Sequence, residues 1–423
     1  MMPTNASLPA AAQRLALVDS DYDEPETDVR DLLDVGKTGK PTPSLLNAHT
    51  VLAKDSRWEG RLRWSTFEDI VYLDGKPFDD NETTRICLWL DRIYMLRTAS
   101  ENLVRAVNHV AMEHPFHPIR DWMDAVKWEG TKRIDGLIAT YLRGLPTPLN
   151  RQLSRAWMIA AVARIYDPGC KFDNLLVLVG DQGEGKSQAC AALSPNPNWT
   201  AETTFKVGEK DTFQLIQGVW LYEIAELKSL RGASDEAVKA FLSTRKDRFR
   251  RPYGRFPEVH LRSVVFVGTT NLDEFLSDDT GSRRYWPAYV GIPDLAGIAR
   301  DRDQLWAEAV HAYRAGEQWW LDKPGEDLLK RVSLRHQVID AWSATIADWL
   351  NDHESFTVEA ILGDALNIPI DRCDQKKRSR VGGILAHLGC KKNRPEDDVD
   401  PRRPRVWHRP SGWTGEKGTE DGG

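Results

Sequence analysis

The residues with the clearest chemical purpose are "GDQGEGKS", Gly180 to Ser187, which fit the spacing G-x-x-x-x-G-K-[ST]. Each type in that pattern has a task. Glycines let successive backbone N–H groups curl around phosphate, Lys186 reaches the outer phosphate oxygens, and the Ser187 hydroxyl takes a place on magnesium. The apolar run "NLLVLV" precedes the turn and a helix to about Leu193 is expected after it, its N-terminal end adding positive potential. The phosphate-contacting set is Gly180, Gln182, Gly183, Glu184, Gly185, Lys186, Ser187 and Gln188. Such a turn alone is compatible with a kinase, a GTPase, a motor or a switch.

Three later pieces narrow the choice. "GVWLYEIAEL" (218–227) reads as a buried strand that runs into Glu223 and Glu226, where a magnesium-holding acid is expected and no aspartate stands. Glutamate meets a hard cation with oxygen as aspartate does, from one methylene further back. Glu223, at the strand's end, is assigned with Ser187 to the magnesium side; Glu226 either orients water or caps the next turn. "VFVGTTN" ends an apolar strand in Asn271, whose amide is suited to positioning an attacking water. "DDTGSRRYWP" sets Arg283 and Arg284 after a polar turn, the arrangement of arginines that reach a neighbouring subunit's nucleotide. All four pieces fall in order within about 105 residues.

Charge is distributed unevenly. The chain of 423 residues has a net charge of −6, yet residues 19–34 hold eight acids and one arginine, and "RKDRFRRPYGR" (245–255) holds a single acid among its bases. In the latter, Arg248, Arg250, Arg251 and Arg255 can neutralise phosphates, with Phe249 and Tyr253 interleaved for stacking. Alternatively, some of these arginines face the nucleotide or a neighbouring subunit. A second basic group, Lys376, Lys377, Arg378 and Arg380, opens the helix "KKRSRVGGILAHLG".

The elements that must position these groups follow from periodicity. Residues 1–43, acidic and without pattern, are expected to be a disordered tail, and 44–150 a mainly helical domain with Ser100 capping one helix and Pro118 in the first turn of another. His114 and His117 are three apart, but Pro115 and Pro118 beside them favour a loop and turn over a metal pair. From 151 to 325, the continuous apolar runs 174–180, 219–224 and 263–271 alternate with helices, which predicts an α/β domain with a parallel sheet covered on both faces. Residues 338–410 read as three helices and two extended pieces, a winged-helix-like pattern, and 411–423 as a disordered tail.

Composition bounds the rest. At 41% hydrophobic and 28% charged, the chain is that of a globular protein, and no apolar run approaches the roughly 20 residues of a membrane span. Five scattered cysteines without CxxC spacing argue against a disulfide framework or zinc site and for a reducing cytoplasm. The sixteen tryptophans, mostly at helical spacing beside aliphatics, read as core.

In "HPIRDWMDAVKWEGTKRIDGL", "DPGCKFDNLLVLVGDQGEGKS", "GVWLYEIAEL", "VKAFLSTRKDRFRRPYGR", "VFVGTTNLDEFLSDDTGSRRYWP" and "RDQLWAEAVHAY", roughly residues 110–320, the sequence resembles the virulence-associated protein E family of phages, plasmids and pathogenicity islands. The resemblance implies an AAA+ P-loop core of the superfamily 3 helicase type. It implies ATP and Mg2+ as cofactors, DNA as partner, and a homo-oligomeric ring, a hexamer or a similar one, moving on DNA during replication of a mobile element. Lys186 and Ser187 then fall on Walker A, Glu223 and Glu226 on Walker B, Asn271 on sensor 1, Arg283 and Arg284 on the arginine finger, and residues 245–262 on a DNA-gripping hairpin. No paired-carboxylate strand motif suited to two-metal nucleotidyl transfer stands in the first 150 residues, so any primase is expected to be supplied separately. Two other readings are a nucleotide-gated regulatory or defence ATPase without unwinding activity, and a small-molecule P-loop kinase. Asn271 and the compact arginine turn argue against the kinase.

Overall fold

The computed structural model describes residues 27–209, 211–230, 233–250, 256–271, 282–333, 342–369, 372–393 and 406–413. The N-terminal part builds one core from helices α1 (Leu45–Lys54), α2 (Asp80–Tyr94) and α3 (Ser100–Met112) against a small sheet. Its strands are β1 (Leu62–Ser65), β2 (Ile70–Leu73), β3 (Lys76–Pro77) and β4 (Pro115–Phe116), in the order β3-β2-β1-β4. This sheet departs from the mainly helical expectation, since runs of two to four residues are too short for a period-two signal. Ala99 holds the N-cap position of α3 with no side-chain bond, so Ser100 lies inside the helix and is not its cap.

The expectation of a disordered tail through residue 43 does not hold for 27–43. A short helix, Thr27–Asp31, carries Val29 into the core, and Leu33 follows it there beside Leu52 and Leu103. Buried Asn47 ties the segment down, its Nδ2 donating to the Asp34 carbonyl at 2.8 Å and its Oδ1 accepting the Asp34 N–H at 2.9 Å. Apolar residues four apart were the signal; the surrounding acids concealed it.

The central part is a five-stranded parallel sheet. Helix α4 (Pro118–Ala125) leads in, with Pro118 at its start as expected, and His117 caps it by accepting the Arg120 N–H at Nδ1 (3.2 Å). Burial, then the Arg120 charge, pulls the His117 pKa down to about 4, and the half-buried ring serves as the cap. After α5 (Pro148–Tyr166) come β5 (Leu175–Val179), α6 (Lys186–Ala192), β6 (Thr200–Ala201), β7 (Leu221–Ile224) and α7 (Asp235–Ser243). A hairpin of β8 (Lys246–Phe249) and β9 (Glu258–Leu261) then precedes β10 (Val265–Thr270), β11 (Tyr285–Tyr289), α8 (Leu295–Arg314) and α9 (Lys323–Ser333). The order is β11-β5-β10-β7-β6, every pair parallel.

Every residue of β5 is buried, and successive side chains alternate between two cores, as a doubly covered sheet requires. Leu176 and Leu178 face one core with Trp157, Trp306 and Val310, while Leu175, Val177 and Val179 face the other with Tyr222, Phe241 and Phe266. Each such side chain contributes roughly 1.5–3 kcal/mol on burial. Two strands went unforeseen: β6 is two residues long, and β11 carries Pro287, which an edge strand tolerates. Ile119, Met123, Ile134 and Leu137 join the core of the sheet, which therefore recruits residues well ahead of 151. Helix α9, which runs past the expected domain end at 325, buries Leu329 against it.

The C-terminal part packs α10 (Ser343–Leu350), a helical segment over Val358–Ala365, and α11 (Gln375–His387) on Ile346, Leu350, Val381, Leu385 and Trp407. Beside them lies an antiparallel sheet of β12 (Ser355–Phe356), β13 (Lys391–Asn393) and β14 (Val406–His408), in the order β12-β14-β13. Among the described residues no helix is long and apolar enough to cross a membrane.

Candidate phosphate site and basic hairpin

Strand β5 ends at Val179, and the Gly180–Gly185 turn carries the chain into α6 at the C-terminal edge of the sheet. Gly183 and Gly185 hold φ of +85° and +89°, the left-handed region that glycine enters at no cost. A Cβ on Gly180 would meet the Val290 carbonyl oxygen at 2.7 Å, so the turn approaches the neighbouring backbone too closely for any side chain there. Lys186 is buried, its Nζ donating to the carbonyls of Gly180 (2.8 Å) and Asp181 (2.6 Å). The ammonium thus spans the inside of the turn.

Beneath the turn, Glu223 is buried near the end of β7, and its Oε1 accepts from two hydroxyls: Ser187 at 2.6 Å and Thr269 at 2.7 Å. The strand order explains the meeting. β10 lies between β5 and β7, with Thr269 opposite Leu178 and Val267 opposite Glu223. The Ser187 hydroxyl therefore donates its hydrogen bond to the carboxylate and keeps its lone pairs free to accept. Thr269 was not foreseen; the signal was a pair of hydroxyl residues, Thr269 and Thr270, both buried in an otherwise apolar strand. Cys190, one turn past Lys186, is a buried bystander whose thiol is pushed well above its usual range by burial and then by the Glu223 charge.

Glu226 follows in a different setting. It and Leu227 both adopt left-handed backbone, φ 49° and 51°, a strained pair for residues with side chains. The turn rests on Thr269, whose Oγ1 accepts the Glu226 N–H at 3.4 Å, and on Gly268, where a Cβ would sit 2.5 Å from Leu227 Cδ2. Gly268→Ala should accordingly cost about 1–3 kcal/mol by overpacking, read as a lower urea midpoint, and should shift the Glu226 carboxylate with it. An unchanged midpoint would show that the turn repacks freely.

Asn271 lies one residue beyond β10, exposed, at the same edge of the sheet as the turn. Arg283 and Arg284 are not brought to that edge. They precede β11, whose Tyr285 pairs with Leu175 at the start of β5, so the length of β5 separates them from the turn. At about 3.3 Å per residue that is roughly 17 Å. Arg284 is drawn inward, its Nε 3.4 Å from Asp173 Oδ2 and its Nη2 donating to Ser243 Oγ at 3.4 Å, whereas the Arg283 side chain is exposed.

The basic segment forms the hairpin β8–β9, with Arg248 opposite Val259 and both exposed. Arg250 is also exposed; Arg251, Tyr253 and Arg255 lie outside the described residues. Phe249 stacks on His260 at 4.4 Å, which occupies one face of the ring expected to stack bases. The hairpin's base is locked. Buried Arg262 makes a two-pronged pair with Asp247 (2.7 and 2.9 Å), also donates to the Phe241 carbonyl, and lies over the Phe241 ring. Arg164 donates in turn to the Arg262 and Phe172 carbonyls, at 3.1 and 2.7 Å, and burial lowers its pKa to about 10. Arg262→Met leaves Asp247 buried without its counter-charge and should cost about 3–5 kcal/mol, measured by urea unfolding. Adding Asp247→Leu should restore much of that loss; no recovery would mean the cost came from elsewhere.

The second basic group is largely engaged within the chain. Lys377 Nζ contacts Asp374 (2.9 Å) and the Arg372 carbonyl (2.8 Å), Arg378 pairs with Glu359 at 3.2 Å, and Arg380 lies 3.8 Å over the Trp342 ring. The Lys376 side chain lies outside the described residues.

A glycine turn after a buried strand, a lysine inside it, and a carboxylate gathered beneath it lie together at one edge of a parallel sheet flanked by helices, an α/β protein. Residues 123–338, just over half of the chain, match the virulence-associated protein E-like domain, and the chain belongs to that family. No curated protein matches it. Among solved structures, the apo A form of the NrS-1 C-terminal region (305–718) is similar at 9% identity and a TM-score of 0.45, over 86% of this chain and 99% of that chain. A further apo structure of the same region gives 9% and 0.40 over 78% and 84%, and another A form 10% and 0.37 over 68% and 78%.

Proposed function

We propose that this chain is an ATP-hydrolysing, DNA-dependent motor, a replicative helicase of a phage, plasmid or genomic island, with an AAA+ P-loop core and a winged-helix-like C-terminal domain. The observation that carries the reading is the convergence of Ser187, Thr269 and Glu223 beneath the turn that holds Lys186. A hydroxyl that donates its hydrogen bond to a buried carboxylate and keeps its lone pairs free fits a magnesium position, and a buried ammonium framed by loop carbonyls fits the phosphates beside it. Bound MgATP would supply the phosphoanhydride and neutralise part of its charge.

The chain's own residues do the remainder by position and charge. Lys186 and the backbone of 181–187 hold the phosphates, and Ser187 and Glu223 hold the ion. Glu226 orients the attacking water and Asn271 contacts the outer phosphate. Arg283, exposed at the opposite edge of the sheet, is suited to a neighbour's nucleotide rather than its own, which supports a homo-oligomeric ring. The hairpin, with Arg248 and Arg250 exposed on a locked base, supports DNA contact. The three helices and the sheet order β12-β14-β13 support the winged-helix reading.

The test is ATP turnover with and without single-stranded DNA, followed by strand displacement on a forked duplex. Stimulated turnover and displacement are expected. Stimulation without displacement would overturn the helicase and leave a DNA-gated regulatory ATPase; a monomer in every nucleotide state would overturn the ring.

A further inference from the structure

The N-terminal part carries a cluster that the nucleotide and DNA readings leave unused. His49 on α1 points Nε2 at Nδ1 of His109 on α3, 3.1 Å away, and the same Nδ1 is 3.6 Å from Glu113 Oε1. One ligand atom from each of the three lies within 4.8 Å of the others. Four-coordinate zinc binds imidazole nitrogen at about 2.0–2.1 Å and carboxylate oxygen at about 2.0–2.2 Å, so adjacent ligand atoms on its tetrahedron stand roughly 3.3–3.4 Å apart. The separations of 3.1 and 3.6 Å bracket that edge. The imidazoles meet edge-on, at 76° with centroids 4.8 Å apart, so their ring nitrogens converge instead of their faces stacking.

The framework behind these side chains is fixed. His49 lies between Ala48 and Val51, and His109 between Val107 and Val110, all four buried in one core. His109 and Glu113, four residues apart at the end of α3, share a helix face. Two helices packed through that core thus present two nitrogens and one carboxylate oxygen without rearranging the backbone. We propose that His49, His109 and Glu113 bind one divalent transition-metal ion of the zinc class and staple α1 to α3. Two imidazoles and a carboxylate suit Zn2+, Co2+ or Ni2+ and fit poorly with Mg2+ or Ca2+, which prefer all-oxygen sites. With His109 and Glu113 largely exposed, the fourth position opens to water. A second group, Asp69, Glu258 and His260, has its ligand atoms similarly close, but Asp69 and Glu258 each make a further interaction and His260 stacks on Phe249, so it serves as the internal control.

The experiment uses full-length, untagged protein stripped with chelator and titrated with Co2+. One equivalent should develop the visible absorption of four-coordinate cobalt, which Zn2+ then displaces, and saturating Zn2+ should raise Tm by about 2–4 °C. His49→Ala and His109→Ala, both surface changes, should each abolish the signal with the circular dichroism unchanged, while His260→Ala should retain it. The absence of a one-equivalent cobalt spectrum would overturn the site. So would a spectrum that persists in the His49→Ala/His109→Ala double variant or vanishes in His260→Ala. None of these readouts depends on ATP turnover, so the result stands apart from the proposed motor function.

Discussion

Lys186→Ala is expected to lower ATP hydrolysis by at least about 10²–10³-fold, the scale on which a single preorganised charge donor contributes to a transition state. The reason lies in where the ammonium is held. Nζ is buried within the turn and bonded to the Gly180 and Asp181 carbonyls, 2.8 and 2.6 Å away, so it is already desolvated and aimed into the space the glycines enclose. The alternative role for such a lysine is a staple that only rigidifies the turn. Turnover and urea unfolding should be measured together. A staple would lose stability and keep hydrolysis, whereas a phosphate ligand loses hydrolysis in protein that remains folded. Intact turnover in Lys186→Ala would end the phosphate assignment.

The second large effect separates the two glutamates. Glu223→Gln preserves shape, and its amide oxygen can still accept the Ser187 and Thr269 protons, so stability should change by less than about 1 kcal/mol. What disappears is the negative charge behind the Ser187 hydroxyl. Hydrolysis should fall about 10²–10³-fold, and the Mg2+ concentration for half-maximal rate should rise. Glu226→Gln alters a carboxylate on the left-handed turn, beyond the hydroxyl cluster. Hydrolysis should fall there with nucleotide binding and Mg2+ dependence retained, the pattern of a residue acting on water. Identical profiles in the two variants, by ATPase assay across Mg2+ concentration, would dissolve the division of labour.

Both variants bear on how far the chain could be read before its fold was known. The glycine turn was legible because its pattern is local: glycine spacing, a lysine and a hydroxyl in eight residues, bounded by an apolar strand and a helix. The sheet's parallel, doubly covered character was legible too. Runs such as Leu175–Val179 lack polar alternation, and the structure divides that strand's side chains between two cores. Illegible were the elements whose meaning is positional. Thr269 resembles any strand threonine until β10 is inserted between β5 and β7, which sets it against Glu223. The His49–His109 pair, sixty residues apart, is invisible to spacing, whereas the closer pair His114 and His117 yielded a helix cap.

What the sequence determined by itself, then, is the set of chemical types and the strand and helix periods, because both depend on residues within a few positions of one another. Tertiary structure alone decided that Thr269 shares a Glu223 oxygen with Ser187, that Arg284 turns inward to Asp173 while Arg283 stays exposed, and that Val29 and Leu33 pack into a core. Those outcomes depend on strand order and on burial between distant segments. Local propensity carries no information about either.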